Sequence, residues 1–153
     1  MKYFKTFENH GYDMDGMASS DLTGQLPYNL HNKGDENVKE DKKWILRDAL
    51  KDGNIEEATK IVKEIGANYE MGLPIRFAIK FGNLEFVKEF EKLGASFNRM
   101  SICHAAEMNK KDIVKYVFDR GHKDTERAIK WLKHSRHLNP DQKLEMTEFL
   151  NSL

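Results

Sequence analysis

The chain has 153 residues, of which 39% are hydrophobic and 33% are charged, and its 25 Lys and Arg residues balance its 25 Asp and Glu residues. This length suggests one domain, and a net charge of zero argues against a nucleic-acid binder, which more often has a basic excess. No run of about 18 apolar residues occurs, which argues against a membrane span, and the N-terminus lacks the continuous apolar stretch of a signal peptide.

Residues 1–42 are predicted to form an irregular, partly flexible N-terminal arm. They are rich in Gly, Asp, Asn and Ser, and helix-breaking residues recur too often for a helical period to persist. The arm nevertheless has many apolar residues for a solvated tail, so part of it is expected to pack on the repeats that follow, as a cap or along their groove. These apolar residues are Tyr3, Phe4, Phe7, Tyr12, Leu22, Leu26, Tyr28 and Leu30.

From Trp44 onward the pattern becomes helical and repeats. One alanine marks an equivalent position in each unit, with spacings of 29 and 27 residues: Ala49, Ala78 and Ala105. The first helix of each unit is predicted to end four residues later, at residue types that tolerate the left-handed conformation: Gly53, Gly82 and Asn109. The second helix is predicted to end 13, 12 and 12 residues further on, at Gly66, Gly94 and Gly121.

The second helices share an apolar stripe with spacings of three and four residues. Its members are Ile55, Ala58, Ile61, Val62 and Ile65; Leu84, Phe86, Val87, Phe90 and Leu93; and Ile113, Val114, Val117 and Phe118. Asn54 and Glu57 form a capping-box pattern at the first of these helices. Because one helical pair cannot cover its own stripe, stacking of about three or more units is expected.

The second unit resembles an ankyrin repeat. Leu73-Pro-Ile-Arg-Phe-Ala78 matches the opening of the family pattern, Gly82-Asn-Leu84 and Phe86-Val87 match its middle, and Gly94-Ala-Ser-Phe-Asn98 matches its end. The first copy keeps Asp52-Gly-Asn54 and Gly66-Ala-Asn68, and the third keeps Ala105-Ala106 and Gly121. The resemblance covers about residues 44–124, and it implies a right-handed stack of helix pairs that binds through the concave face of the first helices.

The repeats are shorter than the family period of about 33 residues. The missing residues fall where the family has β-hairpin fingers, so short turns are predicted there, at Tyr69–Leu73 and Phe97–Ser101. Binding through finger tips is therefore not expected.

A fourth, atypical helix pair is predicted after Gly121. Its first helix is predicted over Thr125–Leu138, and Asn139, Pro140 and Gln142 then provide an N-cap, a first-turn proline and a capping-box residue. The predicted fold is therefore all-α, an ankyrin-repeat-like helical solenoid of about four helix pairs. The repeat domain spans residues 43–153, with units at 44–72, 73–99, 100–124 and 125–153.

The resemblance implies that the residues just before the first turn of each unit face the groove. These candidate partner-binding residues are Lys51, Asp52, Lys80, Phe81, Glu107 and Met108. An exposed Phe and Met on such a face would be natural anchors for a protein partner. The alternative is that Phe81 and Met108 pack against each other or under the arm.

A second candidate surface is basic. At about 100° per residue, Arg127, Lys130, His134 and His137 lie on one side of the predicted helix. Such a face could contact an acidic partner or a nucleic-acid backbone. The alternative is an ordinary solvated face.

No catalytic motif or paired-carboxylate arrangement occurs, so an enzyme is not expected, and no cofactor is implied. His134 and His137 are three residues apart, but no further ligand has metal-site spacing, so no metal is expected. The single cysteine, Cys103, cannot form an internal disulfide, which favours a cytoplasmic setting, and Cys103 and His104 are expected to pack inside the third unit.

The predicted function is non-enzymatic binding of another protein, as a steric inhibitor or an adaptor. The opening Lys2-Tyr-Phe-Lys-Thr-Phe-Glu8 stretch resembles short leaders of tailed-phage proteins, which would imply a viral protein acting in the host cytoplasm. Two alternatives stay open: a self-associating structural subunit, and a binder of nucleic acid or of an acidic partner through the 127–137 helix. The sequence leaves the oligomeric state open.

Overall fold

The computed structural model describes the backbone of residues 29–153 and the side chains of residues 38, 39 and 41–153. This part of the chain contains eight α-helices and no strand, so the all-α prediction is confirmed. The helices are α1 (Asn29–Lys51), α2 (Ile55–Ile65), α3 (Tyr69–Phe81), α4 (Leu84–Lys92), α5 (Ser101–Glu107), α6 (Lys111–Asp119), α7 (Thr125–His134) and α8 (Pro140–Ser152). Contacts divide the chain into two compact units, Met1–Asn37 and Val38–Leu153.

Helix α1 begins earlier than the sequence suggested. It starts at Asn29, so residues 29–42, which were predicted to be irregular, are helical. The stretch from Glu36 to Lys43 is rich in Glu and Lys, which are good helix formers, and one internal glycine costs only about 1 kcal/mol. Leu46 and Leu50 lie one turn apart and are buried, which fixes the end of this helix on the core. The predicted packing of the arm concerns residues 1–28 and Leu30, and it lies outside the described side chains.

Helices α2, α4 and α6 form one row, since α4 contacts both α2 and α6. Their predicted apolar stripes are confirmed: most members are buried, and Ile55, Leu84, Leu93 and Phe118 are partly buried against the same core. Phe90 of α4 is fully buried, with its ring edge-to-face at 6.3 Å from the ring of Phe86. The middle helix of this row therefore carries the largest buried side chain of the described core.

Helices α3, α5 and α7 form a second row. Helix α5 contacts both α3 and α7, and each of these helices also contacts the helix that follows it in the chain. The two rows enclose one hydrophobic cluster that runs from Leu46 to Leu150. Among the described helices, none is long and apolar enough to cross a membrane.

The turn predicted before the second unit is a left-handed segment inside α3. Glu70, Met71 and Gly72 have φ angles of 45°, 55° and 85°, and the regular part of the helix begins at Leu73. Pro74 therefore lies in a first helical turn, where its missing N–H is not needed. The Asn68 side chain connects this turn to the next unit, because its Nδ2 donates to the Gly94 carbonyl (2.8 Å) and its Oδ1 accepts from the Ser96 N–H (2.9 Å).

Local capping follows the sequence closely. Asn54 Oδ1 accepts the Glu57 N–H (3.1 Å), and Asn139 and Gln142 form the full capping box predicted for α8, with Pro140 in its first turn. The predicted helix terminators mostly have positive φ angles: Gly53, Gly66, Gly94, Asn109 and Gly121. Gly82 is the exception, with a φ of −94°. Its role is therefore different from that of the other terminators.

Gly82 is required for close packing. A Cβ atom at this position would lie 2.9 Å from the Ala78 carbonyl oxygen, 3.0 Å from Phe86 Cδ2 and 3.2 Å from Leu50 Cδ2. We therefore expect Gly82→Ala to lower the free energy of unfolding by about 1–3 kcal/mol, as overpacking does in well-packed sites. Urea unfolding followed by circular dichroism measures this loss.

Gly94→Ala is the matched control, because a Cβ atom there meets open space and only the left-handed φ of 94° opposes it. That strain costs about 1–2 kcal/mol. A Gly82→Ala protein as stable as the wild type would contradict the packing role.

Candidate functional site

The α3, α5 and α7 row leaves one stripe of each helix accessible. We call this surface the α3–α5–α7 face. It consists of Arg76, Lys80, His104, Glu107, Met108, Trp131 and His134. The opposite sides of the same helices carry buried residues such as Ile79, Ala105 and Leu132. Packing in the row therefore brings polar and aromatic side chains from three separate units onto one surface.

His104 lies at the centre of this face. Its side chain is 17% exposed, its Nδ1 lies 4.0 Å from Glu107 Oε2, and its ring is edge-to-face with Trp131 at 6.1 Å. The Nδ1 atom is buried, and it has no hydrogen-bond partner. Burial lowers the pKa of His104, and the nearby Lys80 and Arg76 lower it further, while Glu107 opposes them. The imidazole is thus held in a partly buried, electropositive setting.

A cavity of about 270 Å³ lies beside His104. It is lined by Glu107, Trp131, His134 and Ser135. The Glu107 side chain is only 12% exposed, and among the described residues no Lys or Arg forms an ion pair with it. Trp131 is 39% exposed at the edge of this cavity. The cavity therefore combines an aromatic surface with hydrogen-bonding groups that a partner could reach.

The face also contains two cations without counter-ions. Arg76 and Lys80 are one helical turn apart on α3 and both are half-buried. Among the described residues, no carboxylate forms an ion pair with either of them. Arg76, His104 and Trp131 were not among the predicted groove residues. The spacing of Arg76 and Lys80 in an otherwise apolar helix was the one local signal that pointed to this stripe.

The predicted groove residues divide into two groups. Lys80, Glu107 and Met108 lie on the α3–α5–α7 face, half-buried. Phe81 is also half-buried, but its ring is edge-to-face with Phe77 at 5.2 Å, and the Lys51 ammonium lies 5.3 Å from its centroid.

Phe81 is thus packed at the edge of the core, next to α1. Lys51 and Asp52 are exposed at the end of α1. A partner-binding role for these residues stays a prediction.

The predicted basic face of α7 is not formed as proposed. Helix α7 ends at His134, because Ser135 turns into extended backbone and the chain then buries Leu138, so His137 is not on the helix. Arg127 is paired: its Nε donates to Asp124 Oδ2 (2.6 Å), and the same carboxylate caps the helix by accepting the Arg127 N–H (3.1 Å). This pairing also lowers the pKa of Asp124. Lys130 and His134 remain on the helix: His134 lines the cavity beside Trp131, whereas Lys130 lies in a groove with Asp124 and Glu126.

Cys103 lies directly behind this surface and is fully buried. Burial raises the pKa of its thiol to about 11, with the Asp124 carboxylate adding to the effect. A thiol in this state is a poor nucleophile. Among residues 38, 39 and 41–153, no group of three or more His, Cys, Asp or Glu side chains is placed to hold a metal ion.

The lowered pKa of His104 makes stability depend on pH. Above a pH of about 6.5, the unperturbed histidine value, the residue is neutral in both the folded and the unfolded state. As the pH decreases below this value, the unfolded state binds the proton first. The free energy of unfolding therefore decreases until the pH is below the folded-state pKa of His104. Urea unfolding at pH 7.5 and 5.5 should show a smaller loss for His104→Gln than for the wild type. Equal losses for the two proteins would contradict this role.

Comparison with known proteins gives no relative: no protein-family model matches the sequence, and no curated protein or solved structure matches it significantly.

Proposed function

We propose that this chain is a non-enzymatic, ankyrin-like repeat protein that binds another protein through the α3–α5–α7 face. The observation that carries the proposal is the convergence of accessible side chains from three helices around His104 and the Trp131 cavity. Tryptophan and arginine are enriched among the residues that dominate binding energy at protein interfaces. A surface assembled from several repeats is also the way in which stacked-repeat proteins bind their partners.

The ankyrin-like classification is supported by the order of the helices. Helices α2, α4 and α6 contact one another in one row, and α3, α5 and α7 do so in another, as expected for stacked helix pairs. The proposed action is steric: the protein occupies a partner's surface or holds two proteins together. A cytoplasmic setting, and the host cytoplasm for a viral protein, belong to the same proposal.

The proposal is tested by affinity capture from a lysate of the source organism, with quantitative mass spectrometry. The wild type is compared with Trp131→Ala and with Leu144→Ala, which removes an exposed apolar side chain from α8. The expected result is a partner that is retained by the wild type and by Leu144→Ala but lost by Trp131→Ala. Circular dichroism must show that both variants are folded.

Two outcomes would overturn the proposal. Retention of the partner by the Trp131→Ala protein would show that the partner binds to another surface. Recovery of this chain alone, with a solution mass of two or more copies, would favour a self-associating structural subunit. Light scattering coupled to size-exclusion chromatography gives that mass directly.

A further inference from the structure

We propose that the partner segment bound by the α3–α5–α7 face is acidic, with its carboxylates at Arg76 and Lys80 and its neighbouring side chains against Trp131. This inference rests on the proposed function and names the chemistry of the partner. It is carried by the unpaired cations of α3, the partly exposed ring of His104 and the charge balance around them.

The cations of α3 differ from many other cations of the described part. On the other row and at its edges, lysines and arginines are paired: Lys42 with Glu64 at 2.7 Å, Lys115 with Asp119 at 2.8 Å and Arg120 with Glu91 at 3.3 Å. Arg76 and Lys80 are half-buried, yet they have no described counter-ion. Partial burial of an unpaired charge is unfavourable, and a carboxylate from a partner would remove that cost through charge-assisted hydrogen bonds.

His104 adds a partly exposed imidazole ring next to these cations. Its buried Nδ1 has no partner in the free protein. Because this atom is itself buried, the accessible part of His104 is the rest of its ring, which is 17% exposed and lies edge-to-face with Trp131.

The charge balance favours an anionic segment over a cationic one. Glu107 is the one carboxylate among the residues of this face, and it lies against His104. Arg76 and Lys80 oppose it, since both lie close enough to lower the pKa of His104. A cationic side chain at this face would be repelled by two charges and attracted by one, whereas an acidic segment would be attracted by two and repelled by one. Charge complementarity of this kind determines which partner is accepted more than it determines affinity.

A protein is favoured over a nucleic acid because the cationic stripe is short. Binding to a phosphate backbone relies on many Lys and Arg contacts, and the domains that do it usually carry a basic excess. This chain has a net charge of zero, and the face offers two cations together with an exposed tryptophan. That combination suits an acidic protein segment with an apolar or aromatic residue.

The test uses a fluorescein-labelled octaglutamate peptide that contains one phenylalanine, titrated with the protein at low ionic strength and followed by fluorescence anisotropy. The key variant is Arg76→Gln/Lys80→Gln. Its control is Lys60→Gln/Lys63→Gln, which removes the same charge from a groove of about 550 Å³ on the other row. We expect about a ten-fold or greater loss of affinity for the α3 variant, since two charge-assisted contacts are removed, and little change for the control.

Glu107→Gln gives a second readout of opposite sign. Removing the one carboxylate of the face should strengthen octaglutamate binding by about three-fold, whereas a face that selects cations would lose affinity. NMR chemical-shift changes should map to α3, α5 and the indole N–H of Trp131. Single variants Arg76→Gln and Lys80→Gln keep the test decisive if the double variant does not fold.

Several outcomes would overturn the inference. They are the absence of octaglutamate binding, equal losses in the two double variants, weaker binding after Glu107→Gln, and tighter binding of octalysine or of an oligothymidylate of equal charge. Each of these outcomes leaves the proposed function intact if the wild type still retains a captured partner that the Trp131→Ala variant does not retain. If the captured partner is lost by Trp131→Ala but retained by Arg76→Gln/Lys80→Gln, the face binds a partner but the bound segment is not held by these two cations.

Discussion

Replacing Phe90 with Ala should lower the free energy of unfolding by about 3–5 kcal/mol, the range measured for large buried aromatic residues. Phe90 is fully buried in α4, and its ring contacts the ring of Phe86. Helix α4 contacts α2, α3 and α6, so a cavity there removes packing between three units at once. For a domain of this size, a loss of that magnitude is a large part of the total stability.

Urea unfolding monitored by far-UV circular dichroism measures the effect of Phe90→Ala. The control is Leu144→Ala, because Leu144 is 61% exposed and its removal should change stability by no more than about 0.5 kcal/mol. A loss below about 1 kcal/mol for Phe90→Ala would show that Phe90 is not tightly packed, since Phe→Ala in a core rarely costs so little.

Replacing Lys110 with Met should cost about 2–3 kcal/mol, because hydrogen bonds from a charged group are lost and buried carbonyls are left unpaired. The Lys110 ammonium donates to three backbone carbonyls at the end of α3: Ile79 (2.8 Å), Lys80 (3.1 Å) and Gly82 (2.6 Å). Burial lowers the pKa of this amine. The Lys110 side chain therefore links the start of α6 to the end of α3 by hydrogen bonds.

Lys111→Met is the matched control for Lys110→Met. Lys111 is the next residue in the chain, but it forms a surface ion pair with Glu145, and such pairs contribute only about 0–1 kcal/mol. Equal losses of stability in the two variants would contradict the bridging role of Lys110. Because the Lys80 carbonyl is one of its acceptors, Lys110→Met should also weaken octaglutamate binding at α3, measured at a temperature where the variant is folded.

The Lys110 bridge shows where local sequence reasoning reaches its limit. The residues after the first and second turns, Asn54 and Asn83, cap the helices that follow them. Lys110 occupies the equivalent position in the third unit, and its side chain makes no cap. From the sequence alone, α6 would be read as a helix that lacks an N-terminal side-chain cap. The structure shows that the long side chain reaches the carbonyls of a different unit.

Interactions within a few residues could be predicted from the sequence. The apolar stripes of α2, α4 and α6, the capping box at Asn139 and the left-handed terminators each depend on neighbours three or four residues away. An all-α fold follows from these patterns, because they repeat with a helical period and leave stripes that only other helices can cover.

Contacts between units were decided by the tertiary structure. The close approach of Leu50 and Phe86 to Gly82 and the end of α7, where Leu138 turns into the core, changed the predicted roles of those positions. The same holds for the candidate site. Arg76, His104 and Trp131 are far apart in the chain, and helix packing brings them onto one face. The sequence determined the helical period and which stripes are buried, whereas packing determined which charges stay unpaired, because ion pairing depends on distances between units.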